Sequence, residues 1–469
     1  MISAISWIPK GILVPQEADP PSKEEIDELV KIEALERSDD DGESDEEDED
    51  MEVGASEQSG EVAKSSKGTE FNDITDGLRE LDMDHYDEED EGIEIFSSGL
   101  GTFTIQDDDS EDLEDMTIKP TDSVIVCARS GDDVWVCEES DDGELNTFVH
   151  HDVIISAFPL STAWLDCPLK GGEKGNFIAV GSMEPSIEIW DLDIIDEVQP
   201  CLVLSGIVEK KKKREKTSIK YKEDSHTDSV LGLAWNKEYR NILASASADR
   251  QVKLWDVAAG KCTITSEHHT DKVQAVAWNH HAPQVLLSGS FDHSVFLKDA
   301  RIPSHAGYKW TVKADVESLA WDPHTEHSFV VSLEDGTLKG FDIRTVTSDP
   351  AGASQPSFTL HAHDKAVCTI SYNPSAPNLL ATGSTDKMVK LWNLSNNQPS
   401  CVTSKNPKAI MFCMLLGRCL SVSFSEDSPF LLAIGGSKGL LEVWDTLSDT
   451  GVSRRFGKYS KTKRPQPAS

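Results

Sequence analysis

The chain has 469 residues and a formal net charge of −40, from 84 Asp and Glu against 44 Lys and Arg. Most of this charge lies between Glu17 and Asp115, where 40 acidic and 6 basic residues give −34 and leave only −6 for the remainder. The composition excludes a simple nucleic-acid binder, because attraction to backbone phosphates requires a net basic surface, and it argues against docking on an anionic membrane.

Three further features place limits on the class of protein. The longest apolar run, Ala409–Leu416, is shorter than a membrane span, and the N-terminus lacks the features of a signal peptide, so we expect no membrane association. Nine Cys at scattered positions without a CxxC pair favour reduced thiols in a cytosolic or nuclear protein. The roughly 370 residues outside the acidic segment suggest two domains or a repeat architecture.

The first predicted element is a β-strand near the N-terminus, ISAISW (2–7), within residues 1–14. Its continuation follows only after the acidic segment, as SVIVCAR (123–129), VWVCEE (134–139) and an outer strand near 145–149. The order of these strands predicts that the acidic segment is an insertion inside the first structural unit and not an N-terminal tail.

Residues 15–118 form the acidic insertion, which combines low hydrophobicity with high net charge and is predicted to be largely disordered. Its run DDDGESDEEDED (39–50) suits basic partners such as histones or unassembled ribosomal proteins, although the same charge also serves plain solubility. Two apolar islands, around Ile26–Leu35 and Phe71–Tyr86, are docking motifs or accidents of a solvated linker. Candidate sites for an acidophilic kinase of the casein kinase 2 type are Ser38, Ser44 and Ser110.

A twenty-residue interval repeats through the rest of the chain. Five strands end in an aromatic residue, and a second marker follows twenty positions later in each case. The strands are LGLAW (231–235), QAVAW (274–278), ESLAW (317–321), CTISY (368–372) and LSVSF (420–424), and the markers are Trp255, Lys298, Phe341, Trp392 and Trp444. A less regular copy runs from STAW (161–164) to Trp190, and the N-terminal strand begins another.

Units of 40–50 residues with a His near the start and Trp-Asp near the end are typical of WD repeats, each folding as a four-stranded propeller blade. We therefore predict an all-β, seven-bladed WD40 β-propeller over 119–450, with the long disordered acidic insertion in its first blade. The residues predicted to be structural WD-repeat positions are His226, Asp249, Trp255, His269, Asp292, Asp335, Phe341, His363, Asp386, Trp392, Trp190 and Trp444.

In each complete repeat, the His, the Asp, the Trp and a hydroxyl should form a buried hydrogen-bonded chain, with Ser245 or Ser247 in one repeat and Thr382 or Ser384 in another. Lys298 replaces the Trp of the fourth unit and Lys438 replaces the Asp of the seventh, so those two units should lack the full chain.

Two basic elements lie outside the repeats. Lys210, Lys211, Lys212, Lys213 and Arg214 fall in a basic insertion (206–225) and form a candidate nuclear-import signal, with contact to RNA phosphates or a flexible solvated loop as alternatives. The C-terminal tail, 451–469, is also basic. Ring closure is open: Val452–Phe456 supplies the last outer strand, or residues 2–8 join the seventh blade.

The opening MISAISWIPKG, the acidic insertion, SVIVCAR, AFPLSTAWLDC and the evenly spaced tryptophans closely resemble the periodic tryptophan protein 1 family. The resemblance covers nearly the whole chain. It implies a nucleolar protein of ribosome biogenesis, acting with proteins of the large-subunit pre-ribosome and in processing of precursor ribosomal RNA (rRNA). It also implies association with chromatin and histones that affects rRNA transcription.

The leading interpretation is a non-catalytic nucleolar scaffold, monomeric within larger complexes, with direct RNA contact left open. P-loop, GxGxxG, GxSxG, HExxH and CxxC motifs are lacking, and we expect no enzyme activity, cofactor or metal. One alternative is a histone-binding chromatin protein. Another is a substrate receptor of a cullin-type ubiquitin ligase, because Asp299-Ala300-Arg301 and Asp342-Ile343-Arg344 resemble the Asp-x-Arg box of such receptors.

Overall fold

The computed structural model describes residues 1–13, 16–17, 118–130, 133–139, 147–169, 171, 174–195, 197–213, 216–302, 307–345, 355–407 and 419–461. The chain divides into two units, Met1–Ala18 with Leu113–Ser469, and Asp19–Asp112. All described residues belong to the first unit. The predictions of disorder, docking islands and phosphorylation at Ser38, Ser44 and Ser110 concern residues outside the described part of the chain.

The described part of the chain contains six four-stranded antiparallel sheets, called blades one to six, and the strands of each blade pair in the order of the chain. Blade one contains β1 (Ile2–Ile8), β3 (Ser123–Arg129), β4 (Asp133–Glu139) and β5 (Thr147–Ile154). Blade two contains β6 (Pro159–Leu165), β7 (Phe177–Ser182), β8 (Ser186–Asp191) and β10 (Leu202–Ser205). Blade three contains β13 (Val230–Trp235), β14 (Ile242–Ser247), β15 (Val252–Asp256) and β16 (Lys261–Ser266).

The remaining complete blades repeat this plan. Blade four contains β17 (Val273–Trp278), β18 (Val285–Ser290), β19 (Ser294–Asp299) and β20 (Tyr308–Thr311). Blade five contains β21 (Val316–Trp321), β22 (Ser328–Leu333), β23 (Thr337–Asp342) and β24 (Phe358–His361). Blade six contains β25 (Val367–Tyr372), β26 (Leu379–Ser384), β27 (Val389–Asn393) and β28 (Ser400–Lys405).

The seventh sheet has three strands in the described part of the chain, β29 (Cys419–Phe424), β30 (Leu431–Gly436) and β31 (Leu441–Asp445). The prediction of a seven-bladed propeller is therefore wrong in number: the described part of the chain has six complete blades and one three-stranded sheet. The predicted outer strand at Val452–Phe456 is also wrong, because these residues lie in a helix, α1 (Thr450–Phe456). Asp449 caps α1 by accepting bonds from the backbone N–H groups of Gly451 and Val452, and the i, i+4 pair Val452 and Phe456 is buried.

The first strands of the seven sheets form a closed cycle, in which β1, β6, β13, β17, β21, β25 and β29 each contact the next and β29 contacts β1. In all seven sheets the pairing of the first two strands shifts by one residue near its start, as between Ile2 and Ala4 or between Val316 and Ser318. A bulge of this kind sharpens strand twist. Its recurrence in β1 shows that the N-terminal strand is the first strand of blade one, and so residues 2–8 do not join the seventh sheet.

The core lies between neighbouring sheets. The second strand of each sheet is covered on both faces, and the burial of Leu243, Ala244, Ser245 and Ala246 shows why small and apolar residues fill it. Val230 of blade three, for example, packs in one cluster with residues of blade two. The hydrophobic stabilisation is thus shared between blades and does not belong to any single sheet.

Two short ladders lie outside the ring of sheets. β2 (Gln16–Glu17) pairs in parallel with β9 (Ile194–Ile195). β11 (Ile207–Lys213) pairs with β12 (Lys216–Tyr221) as an antiparallel hairpin between blades two and three. The alternative of a flexible loop for the basic insertion is therefore wrong over these strands. No helix in the described part of the chain is both long and apolar enough to cross a membrane.

Candidate functional site

Blades three and six each contain a buried chain of four polar side chains. In blade three, His226 Nδ1 lies 2.8 Å from Asp249 Oδ2, His226 Nε2 lies 2.7 Å from Ser245 Oγ, and the Trp255 indole N–H donates to Ser245 Oγ at 2.8 Å. The hydroxyl therefore joins the imidazole to the indole. Of the two serines considered from the sequence, Ser245 takes this place, and Ser247 instead donates to the carbonyl of Asp228.

Blade six repeats the arrangement with a threonine. His363 contacts Asp386 at 2.8 Å and Thr382 at 2.7 Å, and the Trp392 indole donates to Thr382 at 3.0 Å. Burial lowers the pKa of His363, against the opposing pull of Asp386, so the imidazole is neutral at pH 7. Burial alone would raise the pKa of Asp386, but the hydrogen bond from His363 and the N–H of Met388 hold it below its usual value. The neutral imidazole can then donate to the carboxylate and accept from the hydroxyl.

Blade four has a modified chain around the position of Lys298. His269 contacts Asp292 at 3.0 Å and Ser288 at 2.9 Å, and His268 approaches Ser288 at 3.0 Å, where the other blades place an indole. The Lys298 ammonium donates to Ser266 at 2.8 Å. A cavity of about 20 Å³ lies beside these groups. Burial, with His269 and Lys298 nearby, lowers the pKa of His268 to about 3, so His268 stays neutral. It supplies Ser288 with the hydrogen-bond contact that an indole makes in blades three and six.

Blade five replaces the polar chain with apolar side chains. Val312, Val331 and Phe341 stand where the other blades have His, a hydroxyl residue and Trp, and all three are buried. Trp310 fills the space, with its ring 5.1 Å from that of Phe329. Asp335 accepts bonds from the backbone and hydroxyl of Thr337 in the turn. Replacing the whole network removes its donors and acceptors together, which costs less than removing one partner. The Trp310 indole N–H is nevertheless buried without a hydrogen-bond partner among the described residues.

Blade two and the seventh sheet use their tryptophans differently. The Trp190 indole donates to Glu188 Oε2 at 3.1 Å, and Ser156 donates to the other oxygen of the same carboxylate. In the seventh sheet the Lys405 ammonium lies 4.9 Å from the centre of the Trp444 ring. Glu188 was missed from the sequence, and its signal was an acidic residue between two isoleucines in the strand SIEIWD.

An aromatic residue occupies the same place near the end of each of the seven first strands. Three of the indoles donate to the carbonyl of the neighbouring blade, at the residue just before that blade's own aromatic: Trp278 to Ala234 at 3.0 Å, Trp321 to Ala277 at 3.1 Å, and Trp7 to Ser423 at 3.0 Å. These three indoles therefore join blades to one another, whereas Trp164 and Trp235 donate to Asn176 and Arg240 of their own blades. The seven residues are Trp7, Trp164, Trp235, Trp278, Trp321, Tyr372 and Phe424.

A cavity of about 710 Å³ opens at this end of the first strands, and we call it the channel mouth. Its walls include five of the aromatics, with polar residues of the following loops at its rim. The wall and rim residues discussed below are Trp235, Trp278, Trp321, Tyr372, Phe424, Asn236, Asn279, Lys237, His280 and Glu426.

The loops around the channel mouth are held by asparagines that follow the aromatics. Asn236 donates to the carbonyl of Pro283 at 2.6 Å, Asn279 to that of Glu326 at 3.0 Å, and Asn373 to that of Pro429 at 2.5 Å, each in the next blade. Each asparagine also accepts backbone N–H bonds from its own loop. These asparagines were missed from the sequence, although the recurrence of Asn after Trp or Tyr was a visible signal.

Charged groups meet across the channel mouth. Lys237, from the loop of blade three, forms an ion pair with Glu426, from the loop of the seventh sheet. Burial and the nearby Lys237 lower the pKa of His280, so it is neutral. The channel mouth thus has aromatic walls and a polar rim, a combination that suits binding to another macromolecule.

Glu317, on β21, lies four residues before Trp321 and away from the channel mouth. Burial raises its pKa to about 7, with Glu334 and Asp315 adding to the effect. A carboxyl group whose pKa is raised on folding from 4.5 to about 7 holds a proton that the unfolded chain releases, so stability falls as the pH rises through this window.

We therefore expect Glu317→Gln to stabilise the protein at pH 8 by about 1–2 kcal/mol, after allowance for solvent screening of a partly exposed group. The gain should vanish below pH 4.5. Urea unfolding of both proteins across this range measures the difference. Glu326→Gln, at an exposed carboxylate, is the matched control and should change little. A gain that does not vary with pH would contradict the assignment of the effect to ionisation.

Both Asp-x-Arg sequences begin at the last residue of the third strand of their blades, and both arginine side chains are exposed. Arg301 and Arg344 each fold back on their own aspartate, with guanidinium–carboxylate distances of 2.7 Å to Asp299 and 2.6 Å to Asp342. Lys210–Lys213 lie on β11, and Arg214 falls outside the described residues. In the described ranges, no group of three or more His, Cys, Asp or Glu side chains is placed to hold a metal ion.

A ring of antiparallel blades with recurring His–hydroxyl–Trp chains defines a WD-repeat propeller. The WD domain, G-beta repeat, family profile matches residues 218–256, 260–299 and 354–393, which include the polar chains of blades three, four and six. An uncharacterized WD repeat-containing protein of Schizosaccharomyces pombe is 38% identical over 488 aligned residues, covering 97% of this chain and 91% of that protein.

Two further relatives carry a more specific name. Periodic tryptophan protein 1 of Saccharomyces cerevisiae is 28% identical, with 97% of this chain and 90% of that protein covered. The periodic tryptophan protein 1 homolog of Drosophila melanogaster is 28% identical over 75% of this chain and 73% of its own length. The chain belongs to the periodic tryptophan protein 1 family of WD-repeat proteins, as its sequence predicted.

Proposed function

We propose that this protein is a non-catalytic WD-repeat scaffold of the nucleolus that assists assembly of the large ribosomal subunit and processing of its precursor rRNA. The observation that carries the proposal is similarity over nearly the whole chain to periodic tryptophan protein 1. Proteins of the large-subunit pre-ribosome are the proposed partners, with this protein as a monomer among them. The basic insertion at Lys210–Arg214 serves as the nuclear-import signal.

The structure supports a scaffold through the use of its polar residues. The buried histidines, hydroxyls and indoles of blades three and six bond to one another, and the loop asparagines bond to the next blade. These groups therefore stabilise the ring. The channel mouth presents aromatic and paired charged groups on a rigid frame, as a protein-binding surface does.

Depletion of the protein from cells is expected to make precursors of large-subunit rRNA accumulate, while small-subunit precursors stay at their normal level. RNA blots against both classes of precursor measure the effect, and re-expression of the wild-type chain is the control. Unchanged large-subunit precursors after depletion would contradict the proposal.

A second function is favoured by one observation, the net charge of −34 between Glu17 and Asp115. Such a segment attracts basic proteins, and histones are the proposed partners. Pull-down of core histones should then fall when residues 39–50 are deleted, and a scrambled sequence of the same charge distinguishes charge from sequence. Histone recovery that survives the deletion argues against this function.

The ubiquitin-ligase alternative has a direct test. Arg344 is exposed, and its guanidinium group donates hydrogen bonds to the Asp342 carboxylate. If Arg344→Ala leaves co-purification with ligase subunits unchanged, the alternative is removed.

A further inference from the structure

The outer edge of β31 differs from the edge of the third strand in every complete blade. β15 pairs with strands on both sides, as does β27, whereas β31 pairs with β30 alone in the described part of the chain. Two backbone hydrogen bonds flank this ladder: the N–H of Gly436 donates to the carbonyl of Leu440, and the N–H of Thr446 donates to that of Phe430. They show that Leu440, Thr446 and every second residue between them direct their backbone N–H and C=O groups toward β30. Alternation along the strand then directs the N–H and C=O groups of Leu441 and Val443 away from β30.

Burial along β31 shows the same difference. In blade three the corresponding side chains, Val252 and Leu254, are 2% and 6% exposed, and in blade six Val389 and Leu391 are fully buried. Leu441 and Val443 are only partly buried, against Ile2 and its neighbours from blade one. Leu440, just before the strand, is 39% exposed. The apolar surface that a fourth strand covers elsewhere is thus incompletely covered here.

Glu442 supplies a second, independent observation. Its Oε1 atom pairs with the Lys405 ammonium at 2.5 Å, but its Oε2 atom is buried and has no hydrogen-bond partner among the residues that the structure describes. The corresponding residue of blade three is Lys253, whose ammonium donates at 3.0 Å to Thr265, its cross-strand partner on the fourth strand. A fourth strand beside β31 would place a side chain opposite Glu442 in the same way. A buried carboxylate oxygen without a donor is costly, so that side chain should be a donor.

The helix that follows β31 leaves this edge available. α1 packs against β28 of blade six, and Val452 and Phe456 join the cluster around Trp444. Residues 446–461, which follow β31 where the other blades have their fourth strand, are thus helical, and α1 lies on the face toward blade six. Leu441 and Val443 point to the other face, toward blade one.

We propose that the edge of β31 binds an extended segment of a partner protein, which becomes the fourth strand of the seventh sheet. The segment carries a Lys or Arg opposite Glu442, and apolar residues on either side of it cover Leu441 and Val443. Main-chain bonds supply affinity, and the alternate side chains supply specificity, as in other cases of strand addition. This inference rests on the proposed scaffold function and names the chemistry of one partner.

The probe is a fluorescein-labelled peptide, acetyl-SVTVKVTS-amide, titrated against the purified full-length protein with fluorescence anisotropy as the readout. A control peptide has Glu in place of Lys. We expect the Lys peptide to bind at least tenfold more tightly than the Glu peptide, and Glu442→Lys to reverse this preference. Glu326→Lys, at an exposed site on blade five, is the matched control and should leave the preference unchanged. A reversal also shows that the variant is folded.

Hydrogen exchange identifies the position of the bound peptide. The amides of Leu441 and Val443 should exchange quickly in the free protein and be protected by the Lys peptide. Three results would overturn the proposal. The first is that neither peptide binds. The second is slow exchange of both amides in the free monomer, which would assign the edge to this chain's own residues, and the third is a dimer in sedimentation in which the Leu441 and Val443 amides are protected. Because the assay uses purified protein, its failure leaves the rRNA-precursor test of the proposed function unaffected.

Discussion

Replacing Gly336 with Ala should destabilise the protein by about 2–5 kcal/mol. Gly336 has a φ of +82° in the turn between β22 and β23, where a side chain costs roughly 1–2 kcal/mol. An added Cβ would also lie 2.2 Å from the carbonyl oxygen of His363 and 3.0 Å from that of Lys365. Forcing backbone apart in a packed region costs about 1–3 kcal/mol more. Urea unfolding measures the loss.

The effect should extend into the next blade. Gly336 accepts backbone bonds from Ala362 and His363, and His363 begins the polar chain of blade six. We therefore expect faster hydrogen exchange at His363 and along β26 in this variant.

Gly439→Ala is the matched control for Gly336→Ala. Gly439 occupies the equivalent turn of the seventh sheet with a φ of +74°, and the nearest atom to its added Cβ is the flexible end of Arg129, at 3.3 Å. Arg250 and Lys387 hold similar positive φ values in their own turns, so the conformation itself is tolerated. Gly439→Ala should cost only the roughly 1–2 kcal/mol of the backbone conformation. Equal losses in the two variants would show that the close contact between the added Cβ at position 336 and the carbonyl oxygens of His363 and Lys365 does not contribute to the loss.

Replacing Ser245 with Ala should cost about 2–5 kcal/mol. The Ser245 hydroxyl joins His226 to Trp255, and its removal leaves the imidazole Nε2 and the indole N–H buried without partners. Each orphaned group costs about 1–3 kcal/mol. Thermal and urea unfolding measure the global loss, and hydrogen exchange should report it first in blade three.

Ser332→Ala provides the comparison for Ser245→Ala. Ser332 is as buried as Ser245 but makes one long bond, 3.4 Å to the carbonyl of Ser318, so its loss should stay below about 1.5 kcal/mol. A double variant with Trp255→Phe tests the mechanism, since phenylalanine has no N–H to leave unpaired. The loss of stability in the double variant should then be smaller than the sum of the losses in the two single variants. Strict additivity would mean that the hydroxyl and the indole are not coupled.

Much of the repeat architecture could be read from local pattern. The twenty-residue interval predicts a pair of strands and a turn, because alternation and turn residues act within one blade. The pairing of β1 with β3 across the acidic segment followed from the likeness of ISAISW to the later first strands. The family followed from the same residues.

The errors came where another blade or a cap decided the outcome. Val452–Phe456 has the composition of a short strand, but the Asp449 cap and the packing of Val452 and Phe456 against blade six make it a helix. Sequence spacing does not show which contacts a segment will make with a neighbouring blade.

The sequence alone determined that the chain forms WD-type antiparallel units and that its charge is concentrated in one segment, since both depend on residues close together in the chain. Tertiary structure decided how the units are joined: which carbonyls receive the indoles of Trp7, Trp278 and Trp321, which loop each asparagine holds, and which sheet has three strands in the described part of the chain. The indole and asparagine bonds join groups that lie 40 or more residues apart in the chain and meet only when neighbouring blades pack together. A hydrogen bond or a buried surface is settled by its partner, and a local pattern does not name that partner.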